Sequence, residues 1–225
     1  MADLQTVNNR LPRLEKEVKA DAKLQPVLKT LERAKELLAA GKPLSQVEGI
    51  DPEHIADLFL LSAKPVIYVF NVDEKALGDE AHKQKMAALV APSKALFICA
   101  KLESELRGLD ESDRAELLDS YGQKESGLVQ LIQAAYGTLG LQSYLTAGEK
   151  EVRAWTIKKG DTAPQAAGVI HGDFERGFIA AQVINYEDLI SAGSEHAAKA
   201  AGKVRTEGKT YIMQPNDVVE FKFNV

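Results

Sequence analysis

The sequence predicts a multi-domain α/β protein built from three successive parts. Three observations predict it: apolar residues at helical spacing near the N-terminus, two β-rich apolar runs separated by a helix in the middle, and short strands alternating with a helix towards the C-terminus. The three parts are expected at 1–64, 65–141 and 142–225.

The first part predicts two amphipathic helices joined by a short turn. In residues 4–18 and again in 24–38, apolar side chains recur at spacings of three and four, which places them on one face of each helix. Pro26 suits the first turn of the second helix. Two such helices with a short link predict an antiparallel helical hairpin. It serves either as a scaffold or as a projecting arm that binds a partner.

The middle part predicts an incomplete parallel sheet. Residues 65–72 and 95–100 are continuous apolar, β-rich runs, which is typical of strands buried on both faces of a parallel sheet. Further helices are predicted over 51–61, 80–90, 110–118 and 127–139. Two strands make a poor sheet for such apolar edges, so the rest of the sheet is expected to lie outside this chain.

The last part predicts a small mixed sheet crossed by one helix, which fits a β-grasp module. The predicted strands cover 151–157, 177–184, 210–213 and 218–224, and the predicted helices cover 163–174 and 186–191. The last two strands are expected to pair around a turn at 214–217, where Pro, Asn and Asp cluster.

The composition excludes several classes of protein. The net charge of -5 argues against a protein that coats nucleic acid through bulk charge. The single cysteine, Cys99, cannot form an internal disulfide, which fits a reducing cytoplasm. No apolar run has the length of a membrane helix, and the N-terminus lacks the pattern of a signal peptide. A cytoplasmic protein without a membrane partner is expected.

Polar residues follow both predicted strands of the middle part. Asn71-Val72-Asp73-Glu74 ends the first strand, and Cys99-Ala100-Lys101 ends the second. Ligands of open α/β sheets bind beyond the carboxyl ends of the strands, and an Asn side chain offers both a donor and an acceptor to a base. The alternative is an ordinary strand-to-loop turn capped by Asn71. The candidate base-binding residues are Asn71, Val72, Glu74, Ala100 and Lys101.

Two further patterns predict no chemistry. The segment from Gly202 to Thr210 is similar to a phosphate-binding loop, but five residues separate Gly202 from Gly208 where such a loop has four, and a strand is predicted to follow it rather than a helix. The four histidines are dispersed and no pair has the spacing of a metal site. No catalytic residue and no metal ligand is predicted.

Arg153 and Trp155 are candidates for nucleic-acid contact. Strand alternation places them on one face, and Lys158 follows shortly after. Aromatic and basic side chains on a strand can stack a base and hold phosphate. The alternative places Trp155 in the core under Phe174 and Phe178.

Several strings in order give the chain a family resemblance over essentially its whole length. The most specific is the block 144–181, which contains Leu145-Thr146-Ala147-Gly148 and the string 150–157 with Arg153 and Trp155. The terminal string 217–225 shows the same similarity. With Asn71-Val72-Asp73-Glu74, they resemble the YchF subfamily of Obg-like P-loop ATPases. The resemblance implies a G domain with an inserted helical hairpin, followed by a C-terminal TGS domain of β-grasp fold.

The resemblance also implies ligands and partners. It implies ATP in preference to GTP, with Mg²⁺ in the complete protein, and association with the ribosome or RNA through the helical arm and the TGS domain. Most relatives in the broader GTPase class carry N-K-x-D, whose Asp pairs with the guanine N1–H and 2-amino groups. Here Val72 and Glu74 replace the Lys and the Asp, which relaxes guanine selection.

The family's phosphate loop, switch regions and Mg²⁺ ligands precede the point where this sequence begins, and phosphoryl transfer depends on those parts. The chain alone is therefore expected to be inactive as a hydrolase. Two functions stay open: the C-terminal part of a nucleotide-binding protein whose hydrolysis depends on an absent phosphate loop, or a non-catalytic module that binds the ribosome or RNA.

Overall fold

The structure, a computed structural model, describes residues 1–148 and 151–224. Two compact units divide the chain, unit 1 at Met1–Ala135 and unit 2 at Tyr136–Val225. Lys150 and Val225, which belong to the strings that carry the resemblance, lie outside the described residues. Among the described residues, no helix combines the length and the apolar character needed to cross a bilayer.

Unit 1 begins with two helices and continues as helices around two strands. Its elements are α1 (Ala2–Ala20), α2 (Gln25–Ala39), β1 (Ile67–Asn71), α3 (Glu74–Leu77), α4 (Glu80–Val90), β2 (Lys94–Ile98), α5 (Ala100–Glu105), α6 (Glu111–Ser120) and α7 (Gly127–Thr138), the last of which continues into unit 2. A core shared by α1 and α2 contains Val7, Leu14, Leu31 and Ala34. The two predicted helices are confirmed, and Pro26 lies in the first turn of α2.

The prediction of an α-helix over 51–61 is wrong. A short 3-10 helix, Glu53–Leu58, stands there, and Phe59 ends it in the left-handed region at φ 49. The turn places Leu60 in the core at 3% exposure, with Phe59 exposed at 80% on one side. Apolar spacing alone cannot distinguish this tight turn from one face of an α-helix.

The two strands of unit 1 form a parallel pair. Their register sets Asn71 beside Ile98. The prediction that both strands are buried on both faces is wrong for β1, where Tyr68 is 38% and Val69 is 46% exposed. Among the described residues, β1 pairs with β2 alone, so the other edge of β1 has no strand beside it.

Unit 2 is a five-stranded mixed sheet with helices. Its elements are β3 (Leu141–Ala147), β4 (Val152–Lys158), α8 (Ala163–Ile170), α9 (Gly172–Arg176), β5 (Phe178–Asn185), α10 (Tyr186–Ala192), α11 (Glu195–Ala200), β6 (Arg205–Glu207) and β7 (Asp217–Phe223). The strand order is β4-β3-β7-β5-β6, with β3 and β7 parallel and the other pairs antiparallel. Tyr144, Ala166, Val183 and Met213 lie in the core.

Three details of unit 2 differ from the prediction. The terminal strand pair is wrong, because β7 pairs with β5 and β3 while Ile212 forms a single bridge to Thr162. The helix predicted over 163–174 is broken at His171, whose Nδ1 accepts from the Asp173 amide at 3.2 Å and caps α9. Strands β3 and β6 were not predicted at all.

Candidate functional site

The parallel pairing of β1 and β2 brings the two predicted motifs to one edge. The Val72 amide donates to the Ile98 carbonyl at 2.9 Å, which extends the pairing past the end of β1. A cavity of about 320 Å³ opens there. We call it the strand-end pocket, and its lining residues are Asn71, Val72, Asp73, Glu74, Cys99, Ala100 and Lys101. All five predicted base-binding residues lie in it.

Asn71 joins the two loops of the pocket. Its Oδ1 accepts the backbone N–H of Ala100 at 3.1 Å, across 29 residues of sequence. Within the described residues, no group accepts from the amide nitrogen of the same side chain, so its two N–H donors are open to a ligand. Asp73 has a local role, because its carboxylate accepts the Ala76 amide at 2.9 Å and caps α3. The pocket is therefore shaped by one side chain that ties the loops and one that holds the turn.

A charged pair crosses the same pocket. Lys101 Nζ lies 2.7 Å from Glu74 Oε1 and 3.9 Å from Glu105 Oε1. The hydrogen bond to Glu74, followed by the attraction of Glu74 and Glu105, raises the pKa of Lys101 above its usual value. Both partners reach solvent, so the pair can rearrange around a ligand.

Apolar packing fixes the floor of the pocket. The side chain of Val72 packs against a cluster that contains Leu77, Cys99 and Leu102. Cys99 is buried at 4% exposure, which gives it no access to a ligand through its side chain. The backbone amides of Val72 and Ala100 are already bonded, to the Ile98 carbonyl and to Asn71 Oδ1, so polar contacts with a ligand fall to the side chains of Asn71, Glu74 and Lys101.

Glu103 anchors α5 to the helix that follows the pocket. Its carboxylate accepts the amides of Gly127 at 2.6 Å and Leu128 at 3.3 Å, at the start of α7. A Cβ at Gly127 would lie 2.7 Å from a methyl carbon of Ile98, so glycine permits this close approach. The strand that carries the pocket is therefore held against α7.

The second candidate surface lies on β4, an edge strand of unit 2. The guanidinium carbon of Arg153 lies 4.1 Å from the centre of the Trp155 ring. We call this pair the Arg153–Trp155 face. Trp155 is half-buried against the core and donates from Nε1 to Thr146 Oγ1 at 2.9 Å, so it is both packed and accessible. Glu151 lies 3.7 Å from Arg153 and offsets part of its charge.

Lys158 is not brought to the Arg153–Trp155 face. Strand alternation puts it on the opposite side of β4, where it is exposed. Its backbone amide donates to the Asp161 carboxylate at 2.9 Å in the following turn. The three predicted RNA-binding residues therefore lie on one strand but on both of its faces.

Sequence reasoning missed two residues near the strand-end pocket. Glu105 is the second partner of Lys101, and their spacing of four on one helix was the signal for it. Glu103 had no such signal, because its partners lie at the start of another helix. No group of His, Cys, Asp or Glu that would hold a metal ion occurs among the described residues.

Fold and pocket together define an α/β protein with a ligand-sized cavity at the carboxyl ends of parallel strands. The family model YchF-GTPase_C, which is described as a protein of unknown function, matches residues 141–224. The chain is 43% identical to the ribosome-binding ATPase YchF of Bacillus subtilis, over 100% of this chain and 64% of the relative. It is 42% identical to the Obg-like ATPase 1 of Rattus norvegicus, over 73% of this chain and 43% of the relative.

A solved structure agrees with these relatives. The YchF GTPase of Schizosaccharomyces pombe matches with a TM-score of 0.81 and 33% identity, over 98% of this chain and 62% of that one. Residues 141–224 match the C-terminal domain of the YchF family, and the whole chain is similar to YchF proteins. It spans 64% of the length of its Bacillus relative and matches the family's C-terminal portion.

Proposed function

We propose that the strand-end pocket is the base-binding end of a nucleotide site in a YchF-type protein. The observation that carries the proposal is the hydrogen bond from the Ala100 amide to Asn71 Oδ1, which holds two loops around the cavity. It leaves N–H donors of Asn71 and an acidic side chain, Glu74, at the cavity wall. These are groups that can pair with the edge of a purine.

We propose ATP as the preferred nucleotide, with GTP the weaker ligand. Val72 packs against the apolar cluster of Leu77 and Cys99 and brings no charge to the pocket. Glu74 is engaged by Lys101. The name ATPase, given to the Bacillus relative, supports the choice of ATP.

Hydrolysis is proposed to depend on a phosphate-binding loop and Mg²⁺ of the complete protein. The donor set of the pocket, an amide and backbone groups beside a Lys–Glu pair, fits a base. The printed sequence contains no G-x-x-x-x-G-K-[ST] string, and no residue of it is assigned to Mg²⁺ or to catalysis. What this chain contributes is the orientation of the base.

The proposed domain organisation keeps three parts. Residues 1–64 form an antiparallel helical arm, 65–141 the C-terminal part of a G domain, and 142–225 a TGS domain of β-grasp fold. The shared core of α1 and α2 supports the first assignment. The mixed five-stranded sheet supports the third.

A second function, association with the ribosome or RNA in the cytoplasm, is favoured by the Arg153–Trp155 face. A guanidinium stacked on an indole offers both a flat surface and a positive charge to a nucleotide. The Bacillus relative carries the name ribosome-binding ATPase, which supports the same partner. In this alternative the chain is a non-catalytic module acting through its helical arm and TGS domain.

Calorimetry with Mg-ATP tests the first function. We expect weak binding and no turnover by this chain, because the base contacts lack the phosphate contacts that supply most affinity. Binding of micromolar strength, or hydrolysis that is lost in Glu74→Ala but kept in Lys75→Ala, would contradict the proposal.

Sedimentation with ribosomes at low and moderate salt tests the second. We expect the double variant Arg153→Ala with Trp155→Ala to pellet less than the wild type, and Lys199→Ala, a change on the exposed side of α11, to pellet equally. Circular dichroism checks that the double variant is folded. An unchanged pellet of a folded double variant would exclude this face.

A further inference from the structure

Lys101 occupies an unusual place in the strand-end pocket. Its ammonium lies 2.7 Å from Glu74 at the start of α3, while Lys101 itself is at the start of α5. The ion pair thus joins the two loops beside the Asn71–Ala100 hydrogen bond. The Glu74 side chain is 32% exposed and that of Lys101 is 70% exposed, so both remain within reach of a ligand.

The ion pair of Lys101 and Glu74 affects the two purines differently, because their edges carry different hydrogen-bonding groups. Guanine presents two neighbouring donors, N1–H and the 2-amino group, and a free carboxylate can accept both at once. Adenine presents an acceptor at N1 and no 2-amino group. A carboxylate whose oxygen already accepts from an ammonium at 2.7 Å has lost part of its capacity for a second pair of donors.

We propose that Lys101 is a specificity-determining residue of the pocket: its ion pair with Glu74 withdraws the carboxylate from guanine and so favours adenine. This inference rests on the proposed function of the same pocket. Glu105, at 3.9 Å, is the weaker partner and keeps the ammonium on the α5 side of the cavity.

The expected size of the effect follows from the exposure of the pair. Exposed ion pairs contribute little free energy. Loss of the pair is therefore expected to change the ratio of guanosine to adenosine affinity by only about two- to five-fold. Salt screens exposed charges, so the selectivity due to Lys101 is expected to weaken at about 1 M salt. A role in packing alone would not depend on salt.

The experiment is an NMR titration of the chain with adenosine and, separately, guanosine. The signals to follow are the Asn71 side-chain amide and the Ala100 backbone amide. The variants are Lys101→Met, which keeps the stem and removes the charge, Lys101→Arg, which keeps the charge, and Lys75→Met. Lys75 is an exposed neighbour of Glu74 that forms no ion pair within the described residues, which makes it the matched control.

The inference predicts that Lys101→Met gains guanosine affinity relative to adenosine by about two- to five-fold. Lys101→Arg and Lys75→Met are expected to keep the wild-type ratio, and high salt should move the wild type towards Lys101→Met. If adenosine binds but the ratio of guanosine to adenosine affinity is the same in Lys101→Met as in the wild type, the inference is overturned and the proposed function is not. If neither nucleoside shifts Asn71 or Ala100 in the wild type, the proposed function is overturned together with it.

Discussion

The strand-end pocket and the Arg153–Trp155 face differ in what holds them in place. The pocket lies between two loops that are joined by the Asn71–Ala100 hydrogen bond and by the partly exposed ion pair of Lys101 and Glu74. The face lies on a strand of a five-stranded sheet whose core residues Tyr144 and Val183 are fully buried. The strand beneath the pocket, β1, leaves Val69 46% exposed.

Because of this difference, stability and binding are expected to be coupled in unit 2 and largely independent in unit 1. In unit 2 a substitution in the core should disturb the whole sheet, including the Arg153–Trp155 face. In unit 1 the strand pair under the pocket buries little apolar surface, so substitutions there should change the geometry of the pocket more than the free energy of unfolding.

The largest expected effect is that of Tyr144→Ala in unit 2. Tyr144 is fully buried and donates its hydroxyl to the Ala166 carbonyl at 2.9 Å. Its loss is expected to lower the free energy of unfolding by about 3–5 kcal/mol, as for other buried aromatic residues. The chain has one tryptophan, Trp155, so fluorescence during urea unfolding reports on unit 2. Ile179→Ala, at a position 59% exposed, should change the midpoint little; equal midpoints for the two variants would contradict the account.

A matched pair of valines compares the two units directly. Val183→Ala removes fully buried methyl groups and is expected to cost about 2 kcal/mol. Val69→Ala, on the exposed strand of unit 1, is expected to stay within about 0.5 kcal/mol. Chemical unfolding followed by far-ultraviolet circular dichroism measures both. The reverse order would show that β1 carries more of the stability than its exposure implies.

Asn71→Ala should loosen the pocket without unfolding unit 1. It removes one neutral hydrogen bond, worth about 1 kcal/mol, so exchange of the Ala100 amide with solvent should accelerate about five-fold. Asp73→Ala is the control, since it releases the Ala76 amide instead. Equal exchange of Ala100 in the two variants would mean that Asn71 does not hold the loops together.

The last prediction concerns alkaline pH in unit 2. Burial, then the hydrogen bond that the Tyr211 hydroxyl donates to Asp217, raises the pKa of Tyr211 to about 12. The neutral phenol is thus favoured in the folded state, and this contribution is fully present below the unfolded pKa near 10. It is lost as the pH rises towards 12. Tyr211→Phe should therefore lose less stability than the wild type over this interval; parallel pH profiles would contradict the assignment.

The sequence carried enough information to predict the pocket but not its charged pair. Two apolar runs predicted β1 and β2, and because parallel strands end at the same edge, Asn71 and Ala100 had to meet. The ion pair between Glu74 and Lys101 depends on how α3 and α5 are placed after those strands, which no local pattern specifies.

The strands of unit 2 were harder to predict for a physical reason. Strand β3 contains Gln142, which is buried because its side-chain amide donates to the Met213 carbonyl at 2.7 Å. A polar residue in a core position hides the alternation by which a strand is recognised. Residues 210–213 have strand-like composition, but hydrogen bonds from Ala163 to Tyr211 and from Met213 to Asp161 tie this segment to the turn before α8 instead.

The central claim, that a purine binds between the two strand ends, is tested most directly by photolabelling. An azidoadenosine probe is irradiated with the chain, and the labelled peptides are identified by mass spectrometry, with unlabelled adenosine as competitor. The account predicts competitor-sensitive labels within 71–74 or 99–101, and weaker labelling in Asn71→Ala. Competitor-sensitive labels that map to unit 2 and leave both segments unlabelled would contradict it.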